Sequence, residues 1–410
     1  MDLKKTYKYL ARHFDQRPEY LDLSGAGIRL YNYTFHSTNY EVLPGASTYY
    51  CRKHDKRFHE KFTPLDGHSK PHQKAGLYKA DYQIEPNQTF RYSVFVPQSG
   101  GQVNGIILLL HGLNEKYWAK YLTWAWHLVQ TTGKAVILFP LAFHMNRAPS
   151  EWSNPRLMRR ISDYRKNHYE PIIRTTFANA AMSTRLQMIP QRFFWSGMQT
   201  YRDLIQLTKK IRTGTISALP ADGRLDLFTY SIGSFLAEIL FMVNPEKLFD
   251  QSKLFIFCGG PTLDGMNPVS KYIMDSQAQI ALYSFYIQHL TAVFEEDERL
   301  AHYFGKDHET GTRFRHMLNQ HMYKSQRENR LRELSSRINA VVLEQDEVIP
   351  PIEVENTLKG SHRDIPIDVE IMDFPYSYNH VNPFPMSTSG SADLNKSFNR
   401  VFEQAGAFLT

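Results

Sequence analysis

Cysteine is scarce in this 410-residue sequence, which contains only Cys51 and Cys258. Cys51 lies in a polar stretch and Cys258 in the apolar run LFIFC. Two isolated cysteines predict neither a disulfide framework nor a cysteine metal site. We therefore expect Cys258 to be a core residue, and we expect no metal and no cofactor.

Long hydrophobic runs are also missing. No segment approaches the roughly 18 apolar residues that a membrane span requires, and the N-terminal residues MDLKKTYKYLARHF lack the apolar core of a secretory signal. Hydrophobic residues make up 42% and charged residues 22% of the chain, as is usual for globular proteins. We expect a soluble, cytoplasmic protein without a membrane span.

Charge of one sign is not concentrated anywhere along the chain. There are 48 Lys and Arg residues against 41 Asp and Glu residues, and only modest basic clusters stand out, at 51–57 and 156–166. Nucleic-acid binding would be better supported by a compact basic stripe interleaved with aromatic residues in a recognisable module. We interpret the clusters as solvated surface and expect no nucleic-acid partner.

What the sequence does contain is an alternation of apolar runs and helical segments. Runs that are apolar at every position are typical of parallel strands covered by helices on both faces. We predict a mostly parallel central sheet with helices on both faces. The apolar runs lie at 105–112, 135–143, 225–231, 254–260, 338–346 and 367–375, and segments of helical composition at 116–130, 201–214, 234–243 and 397–409.

The remaining segments frame this core. Residues 1–75 are polar and aromatic with several turn signals, and we predict an N-terminal extension packed on a domain that spans 76–410. YKADYQI and TFRYSVFV alternate apolar and polar residues around the turn-like EPNQ, which predicts a hairpin at the sheet edge. Two insertions, at about 144–195 and 261–336, follow the ends of predicted strands, the edge where α/β proteins place ligands. We expect them to roof the site, the second as a helical lid.

Ser231 lies between an apolar strand-like run and a helical run, in the sequence Thr-Tyr-Ser-Ile-Gly. A serine on such a turn projects from the carboxyl edge of the sheet, and the helix after it directs N–H groups at any charge that develops there. Gly233 is the small residue that the crowded turn needs, whereas Thr229 stands where a second glycine is usual. Taken alone, the pattern fits a nucleophile and a merely small residue about equally well.

Candidate partners for Ser231 follow other predicted strands. A serine nucleophile needs a base, an acid that orients the base, and donors for the oxyanion. His380 is the candidate base, and Asp346 is the candidate acid, with the neighbouring Glu347 as a substitute. Asp264 and Asp373 compete with Asp346, and Asp264 is the stronger of the two. The backbone N–H groups of Leu113 and Ile232 are the candidate oxyanion donors.

Together, LLLHG, the Tyr-Ser-Ile-Gly turn, QDEVIP and the late YNHVNPF resemble the α/β-hydrolase superfamily over residues 77–410, in the chain order Ser, Asp, His. The resemblance implies an α/β-hydrolase fold and a serine hydrolase that cleaves a small-molecule ester or acyl substrate through an acyl-enzyme. An acyltransferase, or a binding protein without activity on the same scaffold, are the alternatives. For the pocket we name Trp118, Phe143, Arg147 and Trp195, and for Arg147 also a surface salt bridge. His144, beside this group, has no partner at the spacing of a metal site.

Overall fold

The strands of the protein form one large sheet and one small sheet. The structure is a computed structural model that describes residues 2–60, 70–98, 103–386 and 391–410. In chain order the strands are β1 (Tyr20–Leu23), β2 (Ile28–His36), β3 (Thr48–Cys51), β4 (Lys56–His59), β5 (Thr89–Pro97), β6 (Gly105–Leu110), β7 (Ala135–Leu138), β8 (Arg224–Tyr230), β9 (Leu254–Phe257), β10 (Ile338–Leu343) and β11 (Asp368–Met372).

The large sheet has nine strands in the order β1-β2-β5-β7-β6-β8-β9-β10-β11. Strand β5 is antiparallel to both of its neighbours, β1 is antiparallel to β2, and every pair from β7 to β11 is parallel. When β2 and the strands after it in this sheet are numbered 1 to 8 in chain order, their spatial order is 1-2-4-3-5-6-7-8. The second of them, β5, is antiparallel to its neighbours. This is the topology of the α/β-hydrolase fold, so the predicted fold class is confirmed.

The described part of the chain has 15 α-helices, some of which cover the two faces of the large sheet. They are α1 (Leu3–His13), α2 (Lys70–Lys74), α3 (Glu85–Gln88), α4 (Ala119–Thr132), α5 (Pro155–His168), α6 (Ala180–Met188), α7 (Arg192–Arg212), α8 (Ile232–Val243), α9 (Ser276–Tyr283), α10 (Leu290–Glu296), α11 (Glu298–Phe304), α12 (Glu309–His316), α13 (Lys324–Leu334), α14 (Pro351–Leu358) and α15 (Ser391–Leu409). Among the described residues, none of the helices has the length and apolar character needed to cross a membrane.

Two hydrophobic cores lie on the two faces, because consecutive side chains of a strand point to opposite sides. Ile106 and Leu108 of β6 belong to the core that includes residues of α7 and α8. Ile107 and Leu109 of the same strand belong to the core that includes residues of α4 and α15. This double burial explains why the five apolar runs that contain β6 to β10 show no alternation. The sixth run contains β11 at the edge of the sheet, where only Met372 is buried and Asp368 and Ile371 are exposed, so the expected burial on both faces is wrong there. Cys258 is fully buried beyond the end of β9, as expected.

The predicted hairpin of YKADYQI and TFRYSVFV at the sheet edge is wrong, because its first strand does not form and its second lies inside the sheet, between β2 and β7. Residues 81–83 form a 3-10 helix and EPNQ forms α3, whereas TFRYSVFV is β5 and pairs with β2 and β7. The reason is tertiary: the buried Asp81 carboxylate receives hydrogen bonds from Arg185 at 2.8 Å and Arg192 at 2.9 Å. These ion pairs hold the segment against α6 and α7 rather than in the sheet.

The segments outside the central pattern have their own elements. Residues 1–75 contribute α1, β1 and β2, of which β2 pairs with β5 along its whole length, and also the separate hairpin of β3 and β4. The 144–195 segment contains α5, α6 and the first residues of α7, and the 261–336 segment contains α9 to α13.

Candidate active site

Ser231 occupies a strained turn between β8 and α8. Its backbone has φ 56° and ψ −123°, a region that costs a residue with a side chain on the order of 1–3 kcal/mol and that occurs mainly at functional sites. Gly233, two residues later, is required by close packing. A Cβ atom there would lie 2.9 Å from the carbonyl oxygens of Leu110 and His111. The turn therefore presses the start of α8 against the end of β6 and leaves the Ser231 hydroxyl at the edge of the sheet.

Thr229 fits the turn although a glycine is usual there. Its hydroxyl donates to the carbonyl oxygen of Phe255 at 3.2 Å and lies 3.0 Å from the hydroxyl of Ser234. Room for Ser234 comes from Gly259 after β9, where a Cβ would approach the Ser234 oxygen to 2.3 Å. The departure from the usual pattern is thus accommodated by the neighbouring strand.

Ser231, His380 and Asp346 meet at the carboxyl edge of the sheet. The His380 Nδ1 atom lies 2.7 Å from Oδ2 of Asp346, and its Nε2 atom lies 2.8 Å from Oγ of Ser231. A carboxylate only accepts, so Nδ1–H donates to Asp346, and the free lone pair of Nε2 accepts from the Ser231 hydroxyl. Their exposed fractions are 5% for Ser231, 4% for His380 and 3% for Asp346.

The Asp346 carboxylate is held in one orientation. Its Oδ1 atom accepts hydrogen bonds from the backbone N–H groups of Val348 and Ile349, both at 2.9 Å. This leaves Oδ2 to His380. Asp264, the main competitor, instead accepts from the Gln320 N–H at 3.1 and 3.0 Å and from the Thr262 hydroxyl at 2.6 Å.

The side chains of Tyr230 and Lys120 anchor the loop of His380, and neither was a candidate from the sequence. The Tyr230 hydroxyl donates to the His380 carbonyl oxygen, and the two rings stack with centroids 5.3 Å apart. Lys120 of α4 donates to the carbonyl oxygen of Val381 at 3.1 Å, and its ammonium lies 4.6 Å from the centre of the Tyr230 ring. Tyr230 was detectable only as the residue before the serine, and Lys120 carried no sequence signal.

The turn after β6 is supported by two buried histidines. His111 Nδ1 donates to the Gly112 carbonyl at 2.8 Å and its Nε2 accepts from the Leu141 N–H at 2.9 Å. His144 Nδ1 donates to the Ala142 carbonyl at 2.8 Å and its Nε2 accepts from the Asn114 N–H at 2.9 Å. Burial lowers the pKa of His144 to about 4 and lowers the pKa of His111 as well, so both rings are neutral. Both nitrogens of His144 are occupied by backbone groups, which leaves neither for a metal.

The backbone at Leu113 remains the candidate donor of this turn. The Gly112 N–H donates to the Tyr121 hydroxyl at 3.0 Å and the Asn114 N–H to His144. Within the described part of the chain, the Leu113 N–H has no hydrogen-bond acceptor. Ile232 is the first residue of α8, where the N–H groups have no partner within the helix.

An apolar cavity adjoins these two residues. Its walls come from the turn after β6, from α7 and α8, and from α12 of the 261–336 segment. The lining includes Leu113, Phe193, Met198, Ile232, Phe235 and Phe314. A second cavity shares Leu113 and Phe193 with the first and extends along Phe143 and Trp152. Of the pocket residues named from the sequence, Phe143 thus lines a cavity next to the candidate oxyanion turn.

The other three named pocket residues lie elsewhere. Trp118 packs against the His111 ring, with centroids 5.5 Å apart, and faces a surface cleft beside α1. Trp195 is fully buried, with the Arg299 guanidinium 3.8 Å from its ring centre.

Arg147 is neither at the mouth of the site nor in a surface salt bridge. It is fully buried and donates to Asp203 at 2.8 Å, to the Asn87 side chain at 3.0 Å and to the Pro140 carbonyl at 3.0 Å. Burial lowers the pKa of Arg147 and raises the pKa of Asp203. These pKa shifts reflect the cost of burying the two charged groups. The 2.8 Å contact between Arg147 and Asp203 offsets this cost and keeps both groups charged. Sequence position alone could not separate a buried arginine from an exposed one.

The side chains that could hold a metal lie away from Ser231. Within the described residues, one group has the necessary donor atoms close together, namely Cys51, His54, His302 and His308. No local motif in the sequence indicates this group, because its members come from two segments some 250 residues apart, as in the Cys51 and His308 pair.

The whole chain, residues 1–410, matches one family, described as "Family of unknown function (DUF6051)". The chain belongs to this family. No curated protein matches it by sequence.

Solved structures similar to the chain include a thermostable esterase from Pseudomonas putida ECU1011, with 10% identity, coverage of 100% of this chain and 91% of the other, and a TM-score of 0.47. Carboxyl esterase 2 from the fungus Tuber melanosporum has 10% identity, 79% and 83% coverage and a TM-score of 0.42. A soluble variant of monoglyceride lipase from Saccharomyces cerevisiae has 11% identity, 78% and 92% coverage and a TM-score of 0.40.

Proposed function

We propose that this member of the DUF6051 family is a serine hydrolase that cleaves carboxylic esters of small molecules through an acyl-enzyme. The observation that carries the proposal is the continuous hydrogen-bonded chain from Ser231 through His380 to Asp346, at 2.8 and 2.7 Å. Its orientation is the one that proton transfer requires, because the proton on Nδ1 leaves Nε2 free to act as a base.

Each residue of the proposed triad has one role. His380 takes the proton of the Ser231 hydroxyl as the oxygen attacks the ester carbonyl, and Asp346 stabilises the imidazolium that forms. The proton then passes to the leaving alcohol. Water, activated by the same imidazole, attacks the acyl-enzyme and releases the acid. The strained backbone of Ser231 supports this role. The Ser231 hydroxyl makes no capping hydrogen bond to the backbone of α8 and points to the His380 imidazole instead.

The proposed oxyanion hole consists of the N–H groups of Leu113 and Ile232. Such donors are positioned before the reaction, and each is worth on the order of 10²- to 10³-fold in rate. The neutral rings of His111 and His144 serve to hold the Leu113 turn, since each bonds backbone groups on both of its nitrogens. Neither ring is free to act as a second base.

The apolar cavity beside this hole is the proposed acyl site. Aromatic and aliphatic side chains make up most of its lining, and Phe314 from α12 closes one side. This lining favours an uncharged acyl group, and the buried Arg147 supplies no charge for an anionic substrate. We further propose that the 261–336 segment serves as the lid, and that residues 1–75 form an extension packed on the hydrolase domain of 76–410, to whose sheet they add β1 and β2.

A fluorophosphonate probe followed by peptide mapping tests the nucleophile. We expect the probe to label Ser231 in the folded protein, and we expect p-nitrophenyl esters of short to medium acyl length to be hydrolysed by wild type but not by Ser231→Ala. Ser196→Ala is the matched control, because Ser196 also lines the cavity but is not part of the triad. Labelling at another residue, or equal turnover by Ser231→Ala, would refute the proposal. If acyl transfer to an added alcohol exceeded hydrolysis, the acyltransferase alternative would hold.

A further inference from the structure

Four potential metal ligands converge where the β3–β4 hairpin meets the 261–336 segment. Cys51 is the last residue of β3, and His54 lies in the turn before β4. His302 belongs to α11, and His308 immediately precedes α12. One ligand atom from each of the four lies within 4.8 Å of the others.

Five of the six distances between these atoms are close to the edges of a tetrahedron around a metal ion, and the sixth, from Cys51 to His302, is at most 4.8 Å. The three imidazole nitrogens, Nδ1 of His54 and Nε2 of His302 and His308, are 3.0, 3.1 and 3.3 Å apart. The Cys51 sulfur lies 3.4 Å from the His308 nitrogen and 3.6 Å from the His54 nitrogen. Ideal tetrahedral zinc bonds place two nitrogens about 3.3 Å apart and a nitrogen and a sulfur about 3.6 Å apart.

Hydrogen bonds alone do not account for this arrangement. The nitrogens of His54, His302 and His308 form a triangle in which each contacts both others. A neutral ring nitrogen is either a donor or an acceptor, not both. In a triangle, at least two of the three nitrogens must therefore be of the same kind, and one contact sets donor against donor or lone pair against lone pair. A cation at the centre accepts all three lone pairs at once.

The surroundings hold the ligands in place. The Cys51 side chain is only 3% exposed. The His308 ring stacks on Tyr303 with centroids 4.5 Å apart, and the His302 ring packs against Phe58 at 5.0 Å. Lys53, in the same turn as His54, donates to the Asp307 carbonyl at 2.5 Å. The hydrogen bond from Lys53 to Asp307 thus joins the β3–β4 hairpin to the 261–336 segment beside the four ligand atoms.

We propose that Cys51, His54, His302 and His308 bind one zinc ion that clamps the β3–β4 hairpin to the 261–336 segment. The Cys51 thiol releases its proton to solvent when its sulfur binds the metal, and the three histidines bind through neutral rings. One thiolate and three imidazoles suit zinc, and four protein ligands fill its tetrahedral coordination, which is typical of structural rather than catalytic sites.

The clamp has a consequence for the apolar cavity. His308 is followed directly by α12, and Thr310 and Phe314 of this helix line the cavity beside Leu113 and Ile232. Zinc therefore also holds one wall of that cavity. The metal site itself does not depend on the hydrolase proposal.

Metal analysis of the full chain, expressed without a polyhistidine tag, tests the site. We expect one zinc per chain by inductively coupled plasma mass spectrometry, and a loss of most of this metal in Cys51→Ser and in His302→Gln. His59→Gln is the matched control, because His59 is exposed on β4 of the same hairpin and lies outside the group. Wild-type protein without metal, even after dialysis against Zn²⁺, or variants with the metal content of wild type, would overturn the proposal.

The spectrum of cobalt bound to wild-type protein tests the site without the ligand variants, so it does not depend on whether Cys51→Ser and His302→Gln fold. Wild-type protein loaded with Co²⁺ should show the visible bands of tetrahedral cobalt and a near-ultraviolet thiolate-to-cobalt charge-transfer band, and His59→Gln should show the same. Octahedral cobalt, or the absence of the thiolate band in wild type, would exclude the four-ligand site. Removal of zinc by a chelator should lower the melting temperature, and a melting temperature that stays unchanged would exclude the clamp.

Discussion

The substitution Asp346→Asn provides a sharp test of the proposed triad, because the structure determines how the new side chain would lie. Oδ1 of Asp346 accepts from the N–H groups of Val348 and Ile349 at 2.9 Å. Only the oxygen of an asparagine amide can replace it there, so the NH₂ group would occupy the Oδ2 position and face Nδ1 of His380. Nδ1 would then have to accept, and the ring proton would move to Nε2, the nitrogen that faces Ser231.

The expected loss follows from this change of tautomer. With its proton on Nε2, His380 has no lone pair for the Ser231 hydroxyl and cannot act as its base. In a serine protease the equivalent change lowers kcat about 10⁴-fold with the geometry intact. This corresponds to about 5 kcal/mol of transition-state stabilisation. We expect a loss of this size for Asp346→Asn, with little change in KM because the acyl cavity is not altered.

The assay is steady-state hydrolysis of a p-nitrophenyl ester by wild type and Asp346→Asn, with circular dichroism to verify folding. Asp373→Asn is the matched control. Asp373 was a competing candidate from the sequence, but its carboxylate accepts from Gln345 and Tyr378 at 2.9 and 2.8 Å. Its kcat should stay close to that of wild type. If folded Asp346→Asn retained kcat within about tenfold of wild type, the assigned tautomer and the role of Asp346 would both be wrong.

Three further predictions concern buried groups. Arg147→Met leaves the fully buried Asp203 carboxylate with only the neutral donors of Ser37 and Asn39 and no cationic partner, and should lower the free energy of unfolding by about 3–5 kcal/mol in urea denaturation. Gly233→Ala places a Cβ 2.9 Å from two backbone carbonyl oxygens, and this overpacking should cost about 1–3 kcal/mol and reduce ester hydrolysis. Burial lowers the pKa of His144 from 6.5 to about 4, so between these pH values the unfolded chain binds a proton that the folded chain does not. Stability should therefore fall as the pH falls through this window, with His144 contributing about 2 kcal/mol of the loss between pH 7 and pH 5.

Each of these predictions has a control. For the ion pair, adding Asp203→Asn to Arg147→Met should restore part of the lost stability, and purely additive losses would argue against coupling. For the turn at Ser231, Gly197→Ala of α7 is the control for Gly233→Ala, since a Cβ at Gly197 meets nothing within 4 Å. Equal stability losses in the two variants would contradict the packing argument. For the pH effect, His144→Gln should show a smaller loss from pH 7 to pH 5, and the same loss as in wild type would exclude His144 as its source.

Local pattern was sufficient for the strands from β5 to β11 and for the candidate triad, but not for β1 and β2 in the 1–75 segment. The strands from β6 to β10 are buried on both faces, so each appears in the sequence as an uninterrupted apolar run, whereas β11 at the sheet edge is largely exposed. The carboxyl ends of parallel strands share one edge of the sheet. This rule predicted that Ser231, His380 and Asp346 lie near one another, although it gives no distances between their atoms. Their catalytic roles stay a prediction. The same rule could not choose between Asp346 and Asp264, because both follow strands that end at this edge.

Other features depended on contacts that no local pattern encodes. The segment around Asp81 alternates like a strand but is held outside the sheet by Arg185 and Arg192. Arg147 lies in a polar stretch of sequence but is fully buried on Asp203.

The sequence by itself determined the chain order of the strands from β5 to β11, the burial of β6 to β10, and the residues that lie at the carboxyl edge, because these follow from the side-chain periodicity of each segment. Only the tertiary structure decided which acid faces His380, where Arg147 lies, and that Cys51 and His54 meet His302 and His308. The physical reason is that ion pairs, hydrogen bonds and metal ligation join side chains over a few ångströms, however far apart they are in the chain. Periodicity reports the environment of a residue but not the identity of its partner.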